Sequence, residues 1–188
     1  MPIPENLQPI RKSAIFLNEA YFWTNTIDDW KTLLADDYFK HVIIDSWKHL
    51  VDRKKINIYG FVIMPNHVHI LWEMLAKNGK ELPHVSFNKF TAHQFLNHLT
   101  KTNSNELKSF YKPEVDREHR FWRRDPLAVH MFSREVVEQK IDYIHNNPLQ
   151  EKWNLADRPE NYRWSSANFY EKGEDEFGII THYMERFG

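Results

Sequence analysis

Cysteine is absent from this chain of 188 residues, and glycine occurs only 5 times. The lack of cysteine excludes disulfides, thiolate metal ligands and cysteine nucleophiles, so any metal must be held by histidine and oxygen ligands. No run of about 18 apolar residues occurs, and the segment MPIPENLQPIRKSAIF lacks the apolar stretch of a secretory signal. We therefore expect a cytoplasmic protein with no membrane partner.

An excess of one charge sign is also missing, because 25 Lys and Arg residues face 26 Asp and Glu residues, for a formal net charge of −1. This balance excludes a uniformly basic surface. The charges are nevertheless uneven, since residues 77–134 carry 11 basic and 6 acidic side chains. That segment is the predicted electrostatic footprint for a polyanion.

The chain has neither repeats nor linkers, and its length predicts one domain over residues 1–188. Its core is expected at about 20–148, with a C-terminal extension at about 149–188. Alternating and three-to-four spacings of apolar residues predict strands and helices, respectively. In chain order they are a strand at Tyr21–Thr26, a helix starting near Asp28 and reaching Val51, strands at Ile56–Met64 and His67–Glu73, a helix capped by Ser86, strand candidates at Phe121–Trp122 and Val129–Phe132, and a helix from Ser133 that stops near Pro148.

This order predicts an α+β fold of the ferredoxin-like, split βαβ kind. The sheet would be central and antiparallel. One further helix, which carries Tyr143, and a tail that packs back onto the domain would follow.

His67 and His69 are the strongest candidates for metal ligands. They lie two residues apart on a predicted strand, so both imidazoles project from the same face. Two neutral imidazoles on a rigid strand form half of a divalent-metal site. The alternative is that both are packed or exposed strand residues without a ligand role.

Tyr143 and Asn147 form a second polar group. They are four residues apart and share one face of the last predicted helix, opposite the apolar stripe of Ile141 and Ile144. Because a residue before proline is pushed out of the α region, we expect Asn147 in the final turn with its amide reaching outward. The alternative is that Tyr143 is an ordinary helix residue and that Asn147 only helps to stop the helix.

Arginine and aromatic residues alternate around Phe121–Trp122 in the basic segment. Guanidinium groups bind phosphates and an indole can stack on bases, so this pattern is typical of nucleic-acid contact. The candidate DNA-binding residues are Lys89, Arg117, Arg120, Trp122, Arg123 and Arg124. The alternative is that Trp122 belongs to the core and that the arginines form a solvated face.

Three motifs, Met64–Trp72 (MPNHVHILW), Tyr143–Pro148 (YIHNNP) and Tyr162–Ala167 (YRWSSA), together resemble a known family. It is the single-tyrosine transposases with an HUH motif, and the resemblance is closest to their REP-associated branch. It covers roughly Tyr21 to Tyr170. The family has the ferredoxin-like fold, which the apolar spacing also predicts.

The resemblance implies that Tyr143 is the nucleophile, His67 and His69 are metal ligands, and Asn147 is a third ligand. The implied activity is metal-dependent cleavage and rejoining of single-stranded DNA through a 5′-phosphotyrosine intermediate, with Mg²⁺ or Mn²⁺ as cofactor. The implied partner is single-stranded or hairpin DNA from repeated palindromes or transposon ends, which would make the protein nucleoid-associated. A monomer with its tyrosine in cis and a homodimer with it in trans both remain open.

Two other functions remain open as well. One is a protein that binds DNA hairpins and whose catalysis is lost or unused. The other is a hydrolase that uses the His-x-His pair on a small molecule, which is disfavoured because no carboxylate cluster accompanies the pair.

Overall fold

The computed structural model describes residues 15–114 and 117–188, without the side chains of Glu114 and Arg117. The strands in these ranges are β1 Ala20–Thr26, β2 Ile56–Met64, β3 His67–Met74, β4 Tyr111–Glu114, β5 Arg117–His119 and β6 Leu127–Met131. The helices are α1 Asp37–Asp52, α2 Pro83–Thr102, α3 Ser104–Lys108, α4 Arg134–Asn146, α5 Ala167–Lys172 and α6 Met184–Phe187. None of the helices in the described part of the chain has the length and apolar character needed to cross a membrane.

Four strands form one antiparallel sheet in the order β2-β3-β1-β6. The helix α1 connects β1 to β2, and β3 lies between these two strands. The helix α2 lies on the connection from β3 to β6, and β1 lies between those two. These are two split βαβ units, so the prediction of a ferredoxin-like α+β fold with a central antiparallel sheet is confirmed.

The two faces of the sheet are covered by different helices. On one face, Phe87 of α2 packs on Trp23 and Trp72, with ring centroids 5.9 and 6.4 Å apart. On the other face, α4 lies over β2 and β3, and its Tyr143 reaches Phe22 of β1. Successive residues of a strand point to opposite faces, so alternate residues of β3 face α4. His67 and His69 are among these residues.

The first two helices begin at different residues from those predicted. Asp28 and Asp29 do not start α1 but lie in a short 3₁₀ turn, and α1 begins at Asp37 after the N-cap Asp36, whose carboxylate accepts the N–H of Tyr38. The helix α2 begins at Pro83, which is well suited to a first turn, rather than at Ser86.

The region before α4 also differs from the prediction. Phe121 and Trp122 are buried but form only an isolated bridge to Ile27, and the fourth strand of the sheet is β6. Phe132 lies beyond β6 and is exposed. The small sheet of β4 and β5 has no clear apolar alternation in its sequence, and that is why the sequence did not predict it.

The C-terminal extension packs back onto β2, as predicted. Ser165 bridges Val62, the N–H of Ile63 donates to the carbonyl of Trp164, and the Tyr162 hydroxyl donates to the carbonyl of Ile63 at 2.8 Å. The motif Tyr162–Ala167 therefore covers the edge of β2, where unpaired backbone groups would otherwise remain.

Candidate functional site

The central strand β3 places His67 and His69 side by side. His67 pairs with Thr26 of β1 and Met64 of β2, while His69 lies opposite Thr24 of β1. The two imidazole centroids are 4.6 Å apart, and both residues are only 6% exposed. Because β3 is hydrogen-bonded on both sides, the two rings are held by a rigid element.

Asn66 fixes the tautomer of His67. Its side-chain NH₂ donates to the carbonyl of Trp30 at 3.3 Å, so its oxygen is the atom that lies 2.6 Å from His67 Nδ1. A carbonyl oxygen only accepts, and Nδ1 therefore carries the proton. The lone pair of His67 is then on Nε2, which is the arrangement of a histidine prepared to bind a metal.

His69 has an equivalent partner in Thr24, whose Oγ1 lies 2.7 Å from Nδ1. The threonine hydroxyl can accept the Nδ1 proton, and in that tautomer the lone pair of His69 is on Nε2 as well. Among residues 15–114 and 117–188, neither Nε2 atom has a hydrogen-bond partner. Two nitrogen ligand atoms thus remain available on one face of the sheet.

Burial keeps both imidazoles neutral. It lowers the pKa of His67 to about 4, with a further contribution from the positive charge of Lys152. It lowers the pKa of His69 well below its usual range, where His67, Lys140 and Lys152 add to the effect. Neutral imidazole is the form that can donate a lone pair to a metal ion, and burial favours this form at both residues.

Tyr143 of α4 lies beside this histidine pair in the same chain. Its ring centroid is 5.3 Å from that of His69 and 6.0 Å from that of Phe22. The residue is 45% exposed, whereas Ile141 and Ile144 on the other side of α4 are buried. The helix therefore uses one face for the core and presents the phenol next to the imidazoles.

Asn147 follows α4 directly and is only 2% exposed. The expectation that Pro148 would push it out of the α region is wrong, since its φ and ψ are −59° and −44°. A 3₁₀ turn, Asn147–Leu149, accommodates the proline and buries it. In the described ranges the Asn147 amide has no hydrogen-bond partner, and its position four residues after Tyr143 leaves the two on one side of the helix end.

The described ranges contain no group of three His, Cys, Asp or Glu residues that could hold a metal. Within these ranges, therefore, neither a carboxylate nor a third histidine completes a site with His67 and His69. A site here would consist of His67 and His69 with an amide such as that of Asn147 and with oxygens from a substrate or water. Imidazole and oxygen ligands suit Mn²⁺, and oxygen ligands suit Mg²⁺.

Lys140 was not predicted from the sequence to lie at this site. Its Nζ lies 4.9 Å from the centroid of Phe22 and 5.7 Å from that of Tyr143. Partial burial lowers the pKa of this amine. Its spacing of three residues from Tyr143 places a cation beside the phenol and near any phosphate that approaches it.

His145, which was not selected as a ligand, has a structural partner. It is buried on the side of α4 that faces the C-terminal extension, and its Nε2 lies 2.9 Å from the Ser166 hydroxyl. Its nitrogen is used within the fold.

Most of the predicted DNA-binding residues lie around one groove, which we call the basic groove. It is formed by α2 and the segment 118–126, and its lining includes Lys89, His93, His119, Arg120, Arg123 and Arg124, with Glu118 and Asp125 as its acids. Lys89 is exposed and forms an ion pair with Glu81. The side chain of Arg117 lies outside the described residues.

Two of these residues have structural roles. Trp122 is 7% exposed and donates its indole N–H to Thr91 at 2.9 Å, while its ring packs on Phe87 and Phe95. The prediction of Trp122 as a base-stacking residue is therefore wrong, because its ring is enclosed by the core. Arg120 donates from Nε to the buried Asp28 at 3.0 Å.

Comparison with known proteins gives a likeness in structure but none in sequence: no family model and no curated protein matches this chain. A solved structure of the REP-associated tyrosine transposase bound to a REP hairpin matches with a TM-score of 0.57 and 16% identity, over 90% of this chain and 90% of that chain. A crystal structure of a candidate transposase from Deinococcus radiodurans R1 matches with a TM-score of 0.41 and 16% identity, over 72% of this chain and 95% of that chain. The chain shares the overall fold of the first of these proteins.

Proposed function

We propose that this chain is a tyrosine transposase of the REP-associated, HUH kind, which cleaves and rejoins single-stranded DNA at a hairpin. The observation that carries the proposal is the contact between Tyr143 and His69 within one chain, beside two imidazoles whose Nε2 atoms are unpartnered in the described ranges. A nucleophile and a pair of metal-ligating nitrogens are the parts that such a reaction needs.

In the proposed step the Tyr143 oxygen attacks the scissile phosphorus. A bond from the phenolic oxygen to phosphorus forms, and the bond from phosphorus to the 3′ oxygen breaks. The phenol loses its proton, and the leaving oxygen gains one to become a 3′-OH. The 5′ end stays attached to Tyr143 as an ester, so a second 3′-OH can displace it without an energy source.

His67, His69 and Asn147 would hold Mg²⁺ or Mn²⁺, and Asn66 and Thr24 would orient the two imidazoles. The bound ion supplies charge neutralisation at the scissile phosphate. A phenol has a pKa of about 10 and is a poor nucleophile near pH 7. Lys140 places a positive charge beside the phenol, where it can contact the scissile phosphate, and the Phe22 ring packs against the phenol next to His69.

The DNA partner in this proposal is a hairpin with a single-stranded flank, and the basic groove receives the phosphates. A chain with a net charge of −1 has little general attraction for long duplexes, which favours a folded, local target. Because Tyr143 already lies beside His69 of its own chain, a monomer with the tyrosine in cis is the proposed active form. A cytoplasmic, nucleoid-associated location would suit this activity.

The test is covalent capture of DNA. A labelled hairpin with single-stranded flanks, selected from a randomised pool by its binding to the wild-type chain, is incubated with the protein and Mn²⁺. We expect a labelled protein band that survives denaturation, and we expect Tyr143→Phe to abolish it while hairpin affinity changes little. Tyr111→Phe, which removes the hydroxyl of another exposed tyrosine, on β4, is the matched control.

An undiminished band in the Tyr143→Phe variant would exclude this tyrosine as the nucleophile. Hairpin binding by the wild-type chain without any adduct under Mg²⁺ or Mn²⁺ would instead indicate a binding protein whose catalysis is lost. Mixing Tyr143→Phe with His69→Ala chains tests the proposed cis arrangement, because a trans active site would recover activity in such a mixture.

A further inference from the structure

Trp30 is an exposed indole between the basic groove and the histidine pair. The residue is 56% exposed, although tryptophan is a large apolar side chain. Its ring centroid lies 5.1 Å from Cζ of Arg123, which lines the basic groove, and 6.5 Å from the ring centroid of His67. Trp30 therefore lies where a strand that leaves the groove would reach the metal ligands.

The backbone that carries this indole is in an unfavourable conformation. Asp29 and Trp30 have φ values of 55° and 57°, a region that residues with a Cβ rarely adopt. Consecutive residues of this kind persist only where their surroundings hold them, and such strain concentrates at functional sites. Nothing in the apolar core requires it here, since the ring is directed outward.

A set of polar contacts holds the turn in place. The N–H of Trp30 donates to the carbonyl of Ile27 at 3.0 Å, and the carbonyl of Trp30 accepts from Asn66. Asp28 is buried and binds both Arg120, at 3.0 Å, and Lys112, at 2.5 Å. The turn is thus tied to Asn66, the residue that also orients His67.

Asn66 links the turn that carries Trp30 to His67, because the two ends of its side-chain amide bind different partners. Its oxygen accepts from His67 Nδ1, while its NH₂ donates to the backbone of Trp30. The position of the exposed indole is therefore coupled to that of the proposed metal ligand. A purely structural tryptophan would need neither its exposure nor this link.

We propose that Trp30 stacks on the base of a nucleotide next to the scissile phosphate, with Arg123 on the opposite face of the indole. The inference rests on the proposed function and adds a contact for the single-stranded flank. The guanidinium covers one face of the ring by a cation–π contact, and the exposed remainder is available to a base. Stacking is tolerant of sequence, so Trp30 would position the strand rather than read it.

The test compares Trp30→Ala and Trp30→Phe with the wild-type chain on two probes. One is the selected hairpin with an oligo(dT) flank, and the other is the same hairpin without the flank, both with a chelator present to prevent cleavage. We expect Trp30→Ala to weaken binding of the flanked probe by about 5- to 150-fold and to leave the flankless probe unchanged. Trp30→Phe should fall between the two, because a smaller ring still stacks.

The matched control is Phe16→Ala. Phe16 is 63% exposed and lies near the opposite end of β1, where its N–H donates to the Tyr21 hydroxyl. This variant should bind both probes as the wild-type chain does. Unfolding midpoints of all variants check that the Asp28–Trp30 turn is retained.

An abasic scan through the flank locates the stacked base. At one position the wild-type chain should lose as much affinity as Trp30→Ala does, and combining the two changes should cost little more than either one. Equal binding by Trp30→Ala and the wild-type chain, equal losses on both probes, or additive losses at every position would each overturn the inference. If the wild-type chain still forms the Tyr143 adduct in that case, the proposed function stands alone; if it binds neither probe, both fail.

Discussion

The two ends of β3 carry buried polar side chains that differ in whether all their polar atoms have hydrogen-bond partners. At its start, His67 and His69 bond through Nδ1, and within the described ranges their Nε2 atoms have no partner. At its other end, Glu73 accepts the Tyr59 hydroxyl at 2.5 Å and forms an ion pair with Arg186 of α6. We call these the open end and the closed end of β3.

Burial is the same at both ends, since His67, His69 and Glu73 are each about 5–6% exposed. The difference lies in which atoms have partners. At the closed end both carboxylate oxygens are used, and burial together with the carboxylate raises the pKa of Tyr59, which therefore remains a donor. A buried polar group whose atoms all have hydrogen-bond partners stabilises the fold. A buried group that keeps an unpartnered ligand atom can instead bind an ion or a substrate.

The largest effects are expected from removing one buried polar side chain at each end of β3. At the open end the change should affect cleavage, and at the closed end it should affect stability. His69→Ala should reduce Mn²⁺-dependent cleavage by more than about 100-fold, because it removes a ligand and not only a partner of one. Glu73→Ala should leave the cleavage rate per folded molecule unchanged and lower the free energy of unfolding by about 2–4 kcal/mol, because Arg186 and Tyr59 lose their partner. Single-turnover cleavage and urea unfolding measure the two quantities.

Glu73→Gln is the milder companion in case Glu73→Ala fails to fold, since its amide oxygen still accepts from Tyr59. If Glu73→Gln lost cleavage as strongly as His69→Ala does, the closed end would not have a purely structural role. If His69→Ala unfolded as readily as Glu73→Ala, the imidazole would have a structural role, and the distinction between the two ends would be wrong.

A smaller effect is expected from the groups that orient the imidazoles. Asn66→Ala and Thr24→Val remove the side-chain oxygens that bond to the two Nδ1 atoms, and each should weaken Mn²⁺ binding by about 10- to 100-fold. Titration calorimetry with Mn²⁺ alone measures this without DNA. Asn57→Ala, which removes a long hydrogen bond of 3.5 Å from the Asn57 amide to Glu73 at the closed end, is the control. Unchanged Mn²⁺ affinity in both variants would show that the orientation of the imidazoles does not matter to the site.

Periodicity predicted the sheet and both open-end histidines, because strand alternation directly determines which side chains share a face. It could not predict that α1 starts at Asp37, since Leu33 and Leu34 continue the apolar spacing although they lie in a 3₁₀ turn. The small sheet of β4 and β5 is held by backbone pairing, and its few residues carry too little pattern to detect.

The candidate site was predictable where one residue type carries the chemistry, as for His67, His69 and Tyr143. Trp122 was misassigned because arginines beside a tryptophan are typical of a binding patch, whereas Phe87 and Phe95, distant in sequence, pack on its ring and Thr91 accepts its indole N–H. Trp30, Asn66, Thr24 and Lys140 were missed because their contacts with Arg123, with each other's strands and turns and with Phe22 join parts of the chain that are distant in sequence.

The smallest expected effect concerns His145, the third buried imidazole, which resembles the closed end because Ser166 uses its Nε2. Burial lowers its pKa to about 4 in the folded chain, against about 6.5 when unfolded. As the pH falls from 7 to 5, the unfolded chain binds a proton that the folded chain does not, so this residue costs about 2 kcal/mol of stability over that range.

His145→Gln keeps a side-chain group for Ser166 but does not titrate. Urea unfolding at the two pH values should therefore show that the variant loses about 2 kcal/mol less of its free energy of unfolding than the wild-type chain does. Because the pKa values of His67 and His69 are also lowered, part of the acid sensitivity should remain. An identical loss in the variant and the wild-type chain would mean that His145 can be protonated where it lies, and the third imidazole would then not belong with the closed end.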